Sequence, residues 1–267
     1  MQEITSLDEL KKIELSIMKK VHQFCEENGI WYVLSYGTLI GAIRHSGFIP
    51  WDDDIDIFMM RDGYEKFEAM FPTWGKAHGL FLAGPNSEDH YFPRDLLKVC
   101  DVRTSLIEKV YKRTEPIGVF VDVWVLDEVP EMNWKTKNWI LSSNICKEIN
   151  LLADTSYEYA KENMKLSKCL AVKLLSHFKT QNIIHRQQSL SQKYRRKGGE
   201  KLICVQGNCK IFNKKDFSGR FLHQFEDTQF YVPVGYDNIL RVDYGDYMQL
   251  PSLDQQKPHH IQDVWWN

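Results

Sequence analysis

Between Asn133 and Lys197 the chain has neither a proline nor a glycine, so nothing in those 65 residues breaks a helix. Nowhere does an apolar run approach the 18 or so residues that a membrane-spanning helix needs. The stretch Met1 to Glu9 lacks the basic-then-apolar pattern of a secretory signal, which predicts a cytoplasmic protein. Only six cysteines occur, at 25, 100, 146, 169, 204 and 209, without a framework spacing, so reduced thiols are expected. A large net charge is missing too: −2 excludes a polycation built for nucleic acid. With 43% hydrophobic and 26% charged residues, disorder and fibrous structure are excluded as well.

The small net charge conceals an uneven distribution. Residues 133–197 hold 13 Lys and Arg against 4 Asp and Glu, a surplus of nine, so the rest of the chain carries a deficit of eleven. One segment favours anions and the remainder concentrates carboxylates.

Periodicity gives the elements. Ser6-Leu7-Asp8-Glu9 fits a capping box, and Leu10, Ile13, Ile17, Val21 and Phe24 then form one helical stripe that Asn28-Gly29 ends. Strands are predicted at Ile30–Leu34, Asp54–Met60, Leu80–Ala83, Leu96–Cys100 and Val119–Val125, with helices near Leu39–Ile43 and Tyr64–Phe71. The segment 133–197 reads as long basic helices that Gly198-Gly199 terminate, and 201–267 returns to mixed character. The expected architecture is a single α/β (α+β) domain over 1–267: a mixed sheet flanked by helices, a helical insertion at 133–197, and a return segment at 201–267.

The chemistry concentrates in Pro50-Trp51-Asp52-Asp53-Asp54-Ile55-Asp56-Ile57. On a strand, Asp54 and Asp56 point one way and Ile55 and Ile57 the other. Paired carboxylates repel unless a cation lies between them, and hard oxygen ligands suit Mg²⁺ or Mn²⁺, which in turn hold phosphates. A third acid, Asp122, interrupts the apolar run Phe120-Val121-Asp122-Val123-Trp124 and completes the site if the two strands are neighbours. Thr38, behind Gly37 at a helix start, offers a hydroxyl and backbone amides to phosphate oxygens. The competing view is an acidic turn plus an unrelated edge residue; interleaving with Ile at strand period speaks against it.

The stretch Tyr36-Gly37-Thr38-Leu39-Ile40-Gly41-Ala42-Ile43-Arg44-His45-Ser46-Gly47-Phe48-Ile49-Pro50-Trp51-Asp52-Asp53-Asp54-Ile55-Asp56 resembles the signature of the LicD family of phosphotransferases. That family includes the fukutin-type enzymes and belongs to the nucleotidyltransferase-fold superfamily. Gly118 to Asp127 and Tyr244-Gly245-Asp246-Tyr247-Met248 with Pro251 match as well, although Val125 stands where the family often has proline. The resemblance implies a nucleotidyltransferase-like core, a phosphate-binding turn at Gly37 and Thr38, and metal carboxylates at Asp54, Asp56 and Asp122. It also implies transfer of a phosphoalcohol from a cytidine diphosphate donor to a sugar hydroxyl of teichoic acid, lipopolysaccharide or another surface glycan. Phosphocholine from CDP-choline is the leading candidate, with glycerol and ribitol donors in relatives.

Other residues carry weaker expectations. Arg44, His45, Lys98 and Arg103 lie near the proposed strands and are candidates to neutralise a diphosphate, though exposed basic residues are often only solvated. Trp31, Tyr36, Trp51, Trp124, Tyr244 and Tyr247 flank the acidic motifs and suit a quaternary ammonium through cation–π attraction, or else are core aromatics. Cys204, Cys209 and His223 lack the spacing of a zinc site and read as core and surface residues. His259-His260 reads as a surface pair. Lys165, Lys168, Lys173 and Lys179 surround Leu166, Leu170, Leu174 and Phe178, which fits a membrane-surface contact, a face for an anionic polymer, or an ordinary solvated helix pair. Two rivals to the transferase are a nucleotidyltransferase that uses a nucleoside triphosphate and a non-enzymatic glycan- or lipid-binding module.

Overall fold

A computed structural model describes residues 2–112, 115–195, 198–258 and 262–267. The His259-His260 pair lies outside the described residues. The elements in chain order are β1 (Gln2–Glu3), α1 (Leu7–Asn28), β2 (Tyr32–Leu34), α2 (Tyr36–His45), β3 (Asp56–Met60), α3 (Arg61–Ala77), β4 (Leu80–Ala83), β5 (Leu97–Asp101), β6 (Thr104–Glu108) and β7 (Phe120–Val129). There follow α4 (Trp134–Asp154), α5 (Tyr157–Asn163), α6 (Leu166–Leu175), α7 (Thr180–Ser191), β8 (Lys201–Ile203), β9 (Ile211–Asn213), β10 (Arg220–Phe225), β11 (Thr228–Pro233), α8 (Tyr236–Tyr244) and β12 (Gln262–Trp266).

The main sheet runs β2-β3-β7-β5-β4, and β8 with β9 extends it from the far half of β7. Only β3 and β7 are parallel; every other pair in this sheet is antiparallel. A three-stranded sheet β1-β12-β6 and the hairpin β10-β11 complete the strands among the described residues. The mixed sheet flanked by helices is the architecture expected from the sequence. Its axis is β7, where Val121, Val123 and Val125 are fully buried, and α1 and α3 pack across the sheet.

Local chemistry explains most of the boundaries. The α1 stripe Leu10, Ile13, Ile17, Val21 and Phe24 is buried throughout, and Gly29 closes the helix at φ 60°. Ser6 stands at the N-cap, but its side chain makes no capping bond, so the expected capping box does not form. Helix α3 extends on both sides of the expected Tyr64–Phe71 and continues through Pro72. Strand β3 begins at Asp56, two residues later than its sequence suggests, and Asp54 lies ahead of it in a loop with Asp52 and Asp53. The partner explains this: β2 pairs only as far as Leu34 with Ile57, after which Ser35 turns into α2.

Gly41 shows why the loop after α2 lies where it does. A Cβ there would sit 2.4 Å from the Gly47 carbonyl oxygen and 3.1 Å from the Ile49 amide, so only glycine lets the returning chain cross the helix. That crossing delivers Trp51 through Asp54 back to the start of α2.

The basic segment 133–197 consists of α4 to α7. It joins the sheet through Trp139, which packs with Val129, Ile203 and Val205 and donates its indole N–H to the Leu190 carbonyl at 2.6 Å. No helix among the described residues is long and apolar enough to cross a membrane.

Candidate active site

Strands β3 and β7 are neighbours, and their register sets Asp56 directly opposite Asp122. Parallel pairing thus brings together two acids 66 positions apart in sequence. Both carboxylates are already held. The Trp124 indole N–H donates to Asp56 Oδ1 at 2.7 Å, and the Asp56 amide donates to the Thr38 hydroxyl at 2.9 Å. Asp122 accepts from Lys98 Nζ at 2.9 and 3.2 Å, and Lys98 is buried against Phe120, 3.2 Å from the ring centroid.

Ahead of β3, Asp52, Asp53 and Asp54 bring carboxylate oxygens within 4.8 Å of one another. Among the described residues this is the one group of three His, Cys, Asp or Glu side chains close enough to share an ion. The expected trio Asp54, Asp56 and Asp122 is not drawn in to that distance, because Trp124 holds one carboxylate and Lys98 another. The structure does bring Asp54 close enough to act on Asp56. Burial above all, then the charges of Asp54 and Asp122, push the Asp56 pKa well above the usual carboxylate range.

Gly37 makes the loop and helix meet. A Cβ at this position would fall 2.6 Å from Asp52 Oδ2, so any larger residue at the start of α2 would push that carboxylate aside. Thr38 is buried, its hydroxyl oxygen occupied in holding the first amide of β3. Its O–H hydrogen stays available as a donor.

Sequence reasoning passed over Glu14. This α1 residue is buried, its Oε2 has no hydrogen-bond partner, and burial first, then Asp54, Asp53 and Asp52, raise its pKa well above normal. The signal was present: Glu14 occupies an apolar-stripe position between Ile13 and Ile17.

The remaining candidates divide. Arg44 donates to the Tyr247 carbonyl at 2.7 Å and to His45 at 2.9 Å, tying α2 to the segment after α8. The Tyr247 hydroxyl donates to Asp237 at 2.9 Å. Tyr36 starts α2 at φ 46°, a left-handed conformation unusual for a non-glycine, and packs edge-on to Trp124 at 5.7 Å. Burial of its hydroxyl and then the charges of Asp56, Asp243, Asp52 and Asp54 raise the Tyr244 pKa, although the residue as a whole is exposed. Trp51 is half-buried against the core, and Trp31 packs towards Phe217 at 6.3 Å. Arg103 is turned elsewhere: it grips Asp101 through Nη2 at 2.5 Å and lies over Trp266. Lys98 is enclosed between Asp122 and Glu108 (3.9 Å), so its charge is taken up by carboxylates already present. Cys204 and Cys209 are free thiols whose sulfurs face Gln206 and the Val205 carbonyl, without a zinc set.

As chemistry, the site is five aspartates and a buried glutamate with two lysines near them, Lys98 on Asp122 and Lys11 acting on Asp52 and Glu14. These are hard oxygen donors, and the buried Glu14 oxygen beside them has no hydrogen-bond partner, so the donor set fits Mg²⁺ or Mn²⁺.

The profile of the family described as "LicD/FKTN/FKRP, nucleotidyltransferase domain" matches residues 29–147, the part of the chain that contains all five aspartates. A lipopolysaccharide cholinephosphotransferase, LicD, of Haemophilus influenzae is 34% identical over 277 aligned residues, covering 97% of this chain and 98% of that protein. Uncharacterized proteins of Rickettsia typhi and Rickettsia prowazekii are each 40% identical over 69 and 58 residues, about a quarter of the chain or less.

Proposed function

We propose, from the premise that this chain belongs to the LicD family and is a phosphotransferase, that it moves phosphocholine from CDP-choline to a sugar hydroxyl of a surface glycan. Lipopolysaccharide and teichoic acid precursors are the acceptor classes, and CMP is the leaving group. The observation that carries this reading is the acidic site inside a chain similar along its whole length to a cholinephosphotransferase.

In this reaction the acceptor oxygen forms a bond to the phosphorus that bears choline. The bond from that phosphorus to the CMP phosphate oxygen breaks, and the acceptor proton passes to a carboxylate of the cluster. A divalent cation held by Asp54 and Asp56 with Asp52, Asp53 and Asp122 would supply charge neutralisation for the diphosphate. Trp124 and Thr38 fix Asp56 from two sides, the indole at the carboxylate and the hydroxyl at the amide. Lys98 fixes Asp122. The Thr38 O–H and the amides at the start of α2 face phosphate oxygens.

Choline has a fixed charge and no hydrogen-bond donors, so it needs aromatic faces or carboxylates, whereas a polyol needs polar partners. Trp124, bonded to Asp56, and Tyr36, packed edge-on against it, offer aromatic surface at the acids and favour choline. CDP-choline is therefore expected to raise the melting temperature more than CDP-glycerol or CDP-ribitol at equal concentration. Greater protection by a polyol donor would shift the substrate to that alcohol.

The helical insertion supports peripheral contact with a membrane that carries the acceptor. Leu166, Leu170, Leu174 and Phe178 are 76, 54, 73 and 62% exposed, so the stripe that a packed helix would bury faces outward. Lysines 165, 168, 173 and 179 border it. Replacing Lys165, Lys168 and Lys173 by Gln is expected to weaken binding to phosphatidylglycerol vesicles, more strongly at low salt than at high salt. No vesicle binding by the unaltered protein at low salt would remove the membrane from this account.

A further inference from the structure

A small cavity of about 140 Å³ is lined in part by Trp124, the residue whose indole bonds Asp56. Its polar wall is assembled from separate parts of the chain: Arg94 and Asp95 from the loop after β4, Gln206 from the loop after β8, Asn150 from α4 and Gln187 from α7. Trp124 and Tyr111 provide aromatic surface. All three amide side chains are nine-tenths or more buried, as is Asp95.

Buried polar groups are almost always hydrogen-bonded, and leaving one unmet costs stability. Here three make no hydrogen bond: Asn150 Oδ1 and Gln187 Oε1 as acceptors, and as a donor Arg94 Nε, whose guanidinium lies over Tyr111 and only 4.0 Å from Asp154. Gln206 Nε2 donates to Asp95 Oδ2 at 3.1 Å, which orients that carboxylate. The volume is that of four or five waters at about 30 Å³ each, room for one six-membered ring.

We propose that this cavity is the socket for the cytosine base of the nucleotide donor; the inference rests on the cytidine diphosphate reading given above. A cytosine presents one exocyclic amino donor beside ring and carbonyl acceptors. The amino group meets the amide oxygens, and the acceptors meet Arg94. Bases are recognised in this way, by hydrogen bonds to one edge and by aromatic surface against the ring. Choline would leave the same three groups unmet, so the cavity is not its pocket. The position agrees: Trp124 both lines the cavity and bonds Asp56, so a base bound there lies next to the acidic site that takes its phosphates. Two helices of the basic insertion thereby contribute to substrate binding, a role their sequence does not announce.

The test uses the full chain without added metal, comparing CMP with UMP by calorimetry and thermal shift. UMP places a carbonyl oxygen against the amide oxygens, so CMP is expected to bind at least tenfold more tightly. Asn150→Leu and Gln187→Met should each weaken CMP binding tenfold or more. Their melting temperatures without ligand should hold or rise, because each removes an unmet buried amide. In turnover, the KM for CDP-choline should rise tenfold, more than kcat falls. Equal binding of CMP and UMP, or variants that bind CMP as the unaltered protein does, would overturn the socket. If CDP-choline is consumed and its KM is unchanged in both variants, the socket fails and the donor reading stands. If no CDP-alcohol is consumed while CMP binding is lost in the variants, the donor reading fails and the cytosine socket stands. No binding of either nucleotide means that water fills the cavity, and the inference is wrong.

Discussion

Asp54→Asn and Asp56→Asn should each lower kcat by 10³-fold or more, about 4 kcal/mol of transition-state stabilisation, while the protein stays folded. The amide keeps a similar shape and, at position 56, an oxygen that still accepts from Trp124. At position 56 it also removes a charge that burial and its acidic neighbours disfavour. The melting temperature without metal should therefore hold or rise, and the extra stabilisation by Mn²⁺ with donor should disappear. An Asp56→Asn enzyme that retained a tenth of its activity would take this carboxylate out of the chemistry.

Asp122→Asn should behave differently from its two neighbours, and the reason is Lys98. The sequence alone suggests that any of the three acids is relieved by neutralisation. The structure overturns this for Asp122, whose carboxylate balances a lysine that is 3% exposed. Burial alone would lower the Lys98 pKa, but the charges of Asp122 and Glu108 outweigh it and raise the value, so the ammonium stays charged. Removing Asp122 leaves the buried ammonium with only the more distant Glu108, and removing Lys98 strands buried carboxylates, at a cost of up to about 3–5 kcal/mol. Both Asp122→Asn and Lys98→Met are expected to lose about that much in denaturant unfolding, and the double variant should recover most of it. Additive losses in the double variant would show that the two groups do not depend on each other.

Much of this arrangement was legible in the sequence. Alternation of Asp with Ile around residue 55, and a lone Asp within an apolar run at 122, pointed to two strands with acids on a common face. The β3–β7 register bears that out for Asp56 and Asp122. Leu80–Ala83 is a strand with the predicted bounds, and the other strands differ at one or both ends. Less legible was whatever depends on distant packing. Lys98 looked like a phosphate ligand because its local sequence does not show that Asp122 and Glu108 enclose it. Arg103 looked close because it follows β5, but it lies past the end of that strand, where Asp101 captures it. The start of β3 shifted because a strand's length depends on its partner, and β2 is short. Glu14 could have been found, since an acid in an apolar helical stripe calls for an explanation. The cavity beside Trp124 could not, because its wall is gathered from six separate segments.

The most direct measurement is product analysis. The chain would be incubated with CDP-choline, a lipopolysaccharide or teichoic acid acceptor and Mn²⁺, and the products followed by ³¹P spectroscopy and mass spectrometry. CMP and glycan-bound phosphocholine should form in equal amounts, and both should vanish with a chelator or in Asp56→Asn. Pyrophosphate release from CTP, or CMP formation undiminished by the chelator and by Asp56→Asn, would contradict metal-dependent phosphocholine transfer at this site.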